Sequence, residues 1–265
     1  MTIEELLGID GDVVRPPEGW SNQWGTTYGG YVAALLLHAF ERATPPEHSL
    51  SVSQVGFVRA LRSESEAPLS VEVHRSGRTA TALTGRIEQD GATAAVGVAW
   101  ASRLVDQPSR FDVSAPEVGP PEQYAQRTHH DVRDAFVGRE FDMRPVPTPE
   151  DQTVSYQWIR LTRVDITDDE PWPAGALGLV ADMVGAGPYS ATLLTLGRPH
   201  ATLALDLTIH LTEAPRGPWV LGVFHNVAFA HGRSIGRGEL YDESGTFAAS
   251  VTQQSLVRPI RSPDA

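Results

Sequence analysis

Two rhythms of apolar residues alternate along the chain, and the pair of them occurs twice. The first rhythm is a nearly unbroken apolar run, from Gly30-Tyr31-Val32-Ala33-Ala34-Leu35 on to Phe40, whose length and Ala and Leu content predict a helix. So few polar residues interrupt it before Glu41 that most of its sides must be covered. The second rhythm alternates and predicts strands at Ser49 to Ala60, Pro68 to Arg75, Thr79 to Gln89 and Ala92 to Ser102, with Asp90-Gly91 as a hairpin turn. After a proline-rich interval the pattern returns. Strands are expected near Phe136 to Arg144 and Val154 to Thr162, and a helix from Gly175 to about Val184. Four more strands are expected at Ala201 to Thr212, Pro218 to Ala230, Ser234 to Asp242 and Thr246 to Arg258.

Laid over one another with a shift of roughly 150 residues, the halves match Gly30 to Leu35 with Gly178 to Met183, and Gly77-Arg78 with Gly232-Arg233. The same overlay puts Asp182 opposite Ala34 and Gln253 opposite Ala99. The apolar scaffold is duplicated but the acid and the amide are not, which points to one active site on a pseudo-dimer. A buried helix followed by four antiparallel strands is the order of a hotdog fold, in which a curled sheet wraps a central helix. The expected class is therefore α+β, a double hotdog. Residues 1–103 form the first repeat, 104–134 a linker containing Gly119-Pro120-Pro121, and 135–265 the second repeat with the proposed site.

Charge and composition narrow the function. A formal charge of −12 opposes binding to nucleic acid or anionic membrane, both of which need a basic surface. An anionic ligand would need a local arginine cluster, for which Arg59, Arg62, Arg75, Arg78, Arg233, Arg237 and Arg258 are candidates near strand ends. Cysteine is absent, so disulfides, a thiolate nucleophile and cysteine metal sites are excluded. No stretch approaches the ~20 apolar residues of a membrane span, and the start from Met1 to Leu7 lacks leader character, so a cytoplasmic protein is expected. His129-His130, with Asp131 and Asp134, reads as a solvated loop rather than a metal site, and no cofactor or metal is expected.

Three segments carry a resemblance to a known family. Tyr28-Gly29-Gly30-Tyr31 ahead of its helix, Gly238 to Gly245, and above all Ala249-Ser250-Val251-Thr252-Gln253-Gln254-Ser255-Leu256-Val257-Arg258 resemble the acyl-CoA thioesterase II family of double-hotdog enzymes. The resemblance implies hydrolysis of an acyl-CoA by water that an aspartate, a Ser or Thr and a glutamine orient together. The aspartate falls on Asp182 and the glutamine on Gln253. The hydroxyl position falls on Ala204, leaving Thr202 and Thr208 as substitutes on the same face of a period-two strand. Gln54 is a second departure, where some members carry a histidine.

The residues themselves suit this chemistry. Asp182 lies among Val180, Ala181 and Met183, where an unpartnered carboxylate would be costly; it must be hydrogen-bonded or carry a raised pKa, as befits a general base. Gln253 can both donate and accept. The helix start at Ala174, Gly175 and Ala176 offers N–H groups to a developing oxyanion. Asp206, Thr208 and His210 alternate onto a polar outer face, and Leu205, Leu207, Ile209 and Leu211 onto the core. Two other functions are weighed. Loss of the hydroxyl suits an acyl-thioester binder with little activity. A hotdog enoyl-CoA hydratase would need a Gly-Asp-x-Asn-Pro-x-x-His segment, which the sequence lacks. The two repeats can satisfy one edge-to-edge pairing inside the chain, and the sheet faces that remain available suit further self-association into a homo-oligomer.

Overall fold

The structure, a computed structural model, describes residues 1–21, 26–105, 111–127, 139–148, 153–167, 170–185 and 200–259. The first repeat opens with a short helix, α1 (Ile3–Leu7), started by a reciprocal cap between Thr2 and Glu5, and a small hairpin of β1 (Ile9–Asp10) and β2 (Val13–Val14). Then come the apolar helix α2 (Gly29–Ala43) and strands β3 (Ser49–Phe57), β4 (Ala67–Ser76), β5 (Ala80–Gln89) and β6 (Ala92–Ser102). In the second repeat β7 (Phe141–Val146) and β8 (Val154–Leu161) precede helix α3 (Ala174–Ala181), which tightens into a 3-10 turn over Asp182–Gly185. The strands β9 (His200–Ala204), β10 (Asp206–Leu211), β11 (Val220–Ala230), β12 (Arg233–Asp242) and β13 (Phe247–Pro259) complete it. The β1–β2 hairpin is an addition to the elements expected from the sequence, and His129-His130 lies outside the described residues.

All these strands join in one antiparallel sheet whose order is a mirror of itself. From the centre outward one half runs β3-β6-β5-β4-β2-β1 and the other β10-β13-β12-β11-β8-β7, with β9 lying along the far end of β13. The repeats meet edge to edge where β3 and β10 pair, Val55 opposite Leu207 and Gln54 opposite Thr208. That junction removes two sheet edges that would otherwise expose unpaired backbone groups.

Both helices lie on the buried face, and their packing explains several glycines. Gly85 and Gly97 face each other across β5 and β6, and a Cβ on either would lie 2.9 Å from the ring of Phe40. The two helices run antiparallel against one another. Gly178 of α3 presses on Ala34 of α2, where an added Cβ would approach the Ala34 Cα to 2.7 Å. The Glu41 carboxylate, near the end of α2, accepts the Ala174 N–H at 3.2 Å and so caps the start of α3.

One expected strand is two. The segment from Ala201 to Thr212 breaks at Leu205, because the Asp206 carboxylate takes the Gln254 N–H at 2.7 Å in place of a ladder carbonyl. The register slips there by one residue: Thr208 stands opposite Thr252, but Ala204 stands opposite Ser255. A one-residue slip turns every later side chain to the other face. Leu205, expected in the core, is consequently 36% exposed, whereas Leu207 and Ile209 are fully buried as expected. No helix is long and apolar enough to cross a membrane among the described residues.

Candidate active site

The two expected polar residues meet. Asp182 caps the C-terminal end of α3, where that helix meets the start of α2. Its Oδ2 accepts the backbone N–H of Gly30 at 2.8 Å, and its Oδ1 accepts a short hydrogen bond from Nε2 of Gln253, 71 residues further on. Tyr28, the residue before α2, supplies no side-chain cap, so a carboxylate from the second repeat caps the first repeat's helix. The positive end of that helix favours the ionised acid.

Burial acts in the opposite direction. Asp182 is 9% exposed, and the surrounding apolar atoms push its carboxyl up to about 6, against the pull of the Gln253 and Gly30 hydrogen bonds. Next to it Tyr28 donates its hydroxyl to the Leu179 carbonyl at 3.0 Å. Burial, with the Asp182 charge behind it, raises the phenol far enough to keep it neutral. The rings of Trp20 and Phe141 close over Tyr28, at centroid distances of 6.3 and 6.4 Å.

Glycines make the room. A Cβ on Gly29 would stand 2.9 Å from Asp182 Oδ2, one on Gly236 would stand 2.8 Å from the Val184 carbonyl, and one on Gly185 would collide with Oε1 of Gln253. Gly236 is the ladder partner of Gln253 in the β12–β13 pair. In the first repeat the matching rung is Leu83 with Ala99. The helix contact has a mate as well: Gly30 against Asp182 corresponds to Gly178 against Ala34. One copy of each contact is polar and spaced, the other apolar and filled.

The remaining expected site residues lie elsewhere. Thr208 shares its face with Thr252 and Gln54, the side of the sheet opposite to Gln253. Thr202 is on the inner side but exposed, opposite Val257 and beyond the Ala204–Ser255 pair. Neither forms a hydrogen bond with Asp182 or Gln253, and the register slip at Leu205 is the reason that they do not share a face. Ala204 itself faces Ser255, whose hydroxyl donates to Gln253 Oε1 at 3.3 Å. Ser255 was legible only as a member of a polar run, although its spacing of two from Gln253 puts both on one face. Two of the amides at the start of α3 are engaged, the Ala174 N–H by Glu41 and the Ala176 N–H by the Pro173 carbonyl. Of the candidate arginines, Arg62 pairs with Asp90, Arg237 pairs with Glu239, and Arg258 is spent on the carbonyls of Gly232 and Val257. Two surface hollows, of about 390 Å³ beside Arg160 to Ile166 and about 280 Å³ beside His38 and Arg42, do not touch Asp182.

Comparison with known proteins agrees with this architecture. Residues 16–102 match the family described as acyl-CoA thioesterase N-terminal domain, and residues 106–257 the one described as acyl-CoA thioesterase C-terminal domain. No curated protein matches the chain. Among solved structures it is similar to the acyl-CoA thioesterase II TesB2 of Mycobacterium marinum, at 21% identity and TM-score 0.78, covering 98% of this chain and 99% of that one. A hot dog fold protein from Alicyclobacillus acidocaldarius superimposes at 19% identity and TM-score 0.79 over 98% of both chains. The tesB protein of Mycobacterium avium subspecies paratuberculosis does so at 19% identity and TM-score 0.73, over 97% and 98%. At these identities the likeness speaks for the fold.

Proposed function

Because the chain belongs to the acyl-CoA thioesterase family, we propose that it hydrolyses an acyl-CoA to free acid and CoA, with Asp182 as general base and Gln253 orienting the water. The main support is the hydrogen bond between these two side chains, on a buried carboxyl whose pKa of about 6 suits proton transfer near neutrality. Each Asp182 oxygen keeps a lone pair beyond its present partner, and the Gln253 amide keeps a second N–H. A water between them donates one proton to Asp182 as its oxygen adds to the thioester carbonyl carbon. The tetrahedral intermediate collapses by breaking the C–S bond, and the leaving thiolate takes the proton back from Asp182. The products are a carboxylic acid and a thiol, and the base is restored.

The test is release of free thiol from short, medium, long and aromatic acyl-CoAs, followed with a thiol reagent. Removing the base in Asp182→Asn is expected to lower kcat by about 10²–10⁴-fold. Equal turnover by the Asn protein would place the chemistry elsewhere. A second reading, an acyl-thioester binder without turnover, is favoured by the methyl group at Ala204. Tight binding of an acyl-CoA by the native chain, with no thiol released at any chain length, would establish it instead.

A further inference from the structure

We propose that Ser255 is the positioning hydroxyl of this site, standing across the strand ladder from Ala204 and acting through the Gln253 amide. This rests on the thioester-hydrolase reading above. Three observations converge on it. Ser255 is the direct antiparallel partner of Ala204, the place where the family resemblance puts a hydroxyl and this chain has a methyl. Paired residues on one face of a sheet hold their Cβ atoms about 4.5–5.5 Å apart, so a hydroxyl can cross from one strand to the other and still reach the same groups. Ser255 is also 4% exposed, and its Oγ donates to Gln253 Oε1 at 3.3 Å. A buried serine hydroxyl with one polar partner, on the inner face of the strand that carries the amide, has its orientation set by that amide.

The chemical role follows from the asymmetry of an amide. Gln253 is useful only while its NH2 faces Asp182, because a carboxylate accepts and never donates. In the hydrolytic cycle, however, Asp182 carries a proton between water addition and thiolate departure. During that interval the acid can donate, and the amide would be free to turn its oxygen inward. Ser255 anchors the amide through its hydrogen bond to Oε1 on the other side, so a turn must first break that bond. The amide is thereby held ready when the carboxylate is regenerated. Thr202 cannot serve, since it pairs with Val257, further along the ladder and exposed. Thr208 is on the opposite face.

The experiment moves the hydroxyl across the ladder and reads acyl-CoA thiol release. Misorienting the amide in Ser255→Ala is expected to lower kcat by about 10–100-fold while KM changes by less than about threefold. The double change Ser255→Ala with Ala204→Ser is expected to recover kcat to within about fivefold of the native enzyme, as expected if the two ladder positions are interchangeable. Ser255→Thr, which keeps the donor, is expected to stay near native. Ser255→Cys has nearly the volume of the native residue but a poor donor, and should lose kcat with an unchanged melting temperature; this covers the case in which the alanine protein does not fold. Native kcat in the folded Ala or Cys protein would overturn the proposal, and so would a loss that Ala204→Ser fails to recover. If the native chain itself releases no thiol, the hydrolase reading falls instead, and the two failures are distinct.

Discussion

Asp182 holds two roles whose energetic demands conflict. As a helix cap it satisfies the Gly30 N–H, yet its burial raises its pKa from an ordinary 3.8 to about 6. Activity needs the unprotonated form, so kcat/KM is expected to rise with pH up to about 6 and level off above it, which a rate profile from pH 4.5 to 8 would record. For stability the sign is opposite. Between the unfolded and folded pKa values the native state binds more protons than the unfolded one, so the contribution of this group is fully present only below the ordinary value of 3.8 and is lost as pH rises through about 6. Asp182→Asn removes that ionisation and keeps an acceptor for Gly30. Its melting temperature should therefore match the native protein near pH 4 and equal or exceed it at pH 8, even as turnover is lost. A large loss of stability at pH 8 would mean that the carboxylate is structural first.

At the scale of elements, each long helix begins on a carboxylate belonging to the other: α2 on Asp182, α3 on Glu41. Glu41→Ala leaves the Ala174 N–H to find water and should cost about 1 kcal/mol. In a chain of this size that lowers the melting temperature by about 2–4 °C, with kcat little changed. The contact between Gly178 and Ala34 is less forgiving, because backbone stands where a Cβ would go. Gly178→Ala should cost about 1–3 kcal/mol and also reduce kcat, since it pushes α3 and Asp182 away from the start of α2. The helix α2, the hairpin at Asp90-Gly91 and the four strands that follow α2 are legible in the sequence, where apolar periodicity and turn residues agree. The break at Leu205 is not. It depends on the Asp206 side chain capturing a backbone N–H of β13, a contact between strands distant in sequence.

For the whole molecule, the central pairing of β3 with β10 and the packing of α2 on α3 make the repeats dependent on one another. Each half expressed alone would expose a sheet edge and the apolar face of a helix. Neither half is expected to give a cooperative thermal transition, whereas the full chain should melt as a single unit, as calorimetry of the three proteins would show. A half that unfolds cooperatively alone would show that the shared interface is secondary to each repeat's own core. The mutual dependence also explains why one site suffices. The polar contact between Gly30 and Asp182 has an apolar mate at Gly178 and Ala34, and the rung of Gly236 with Gln253 has one at Leu83 and Ala99. Filling the first repeat's positions with the methyl groups of Ala34 and Ala99 and the isobutyl group of Leu83 buries apolar surface without the desolvation cost that a second buried acid would carry.

The sequence by itself determined the repeated helix-and-strand scaffold, the positions of Asp182 and Gln253, and their absence from the first half. Periodicity and composition are local properties, and an acid inside an apolar helix is conspicuous in one dimension. Only the tertiary structure decided what surrounds those residues: that Asp182 caps the other repeat's helix at Gly30, that Thr208 faces outward, and that Ser255 pairs across the ladder with Ala204. Each of these depends on the pairing register between strands far apart in the chain. A slip of one residue exchanges the two faces of a strand while leaving its sequence pattern unchanged.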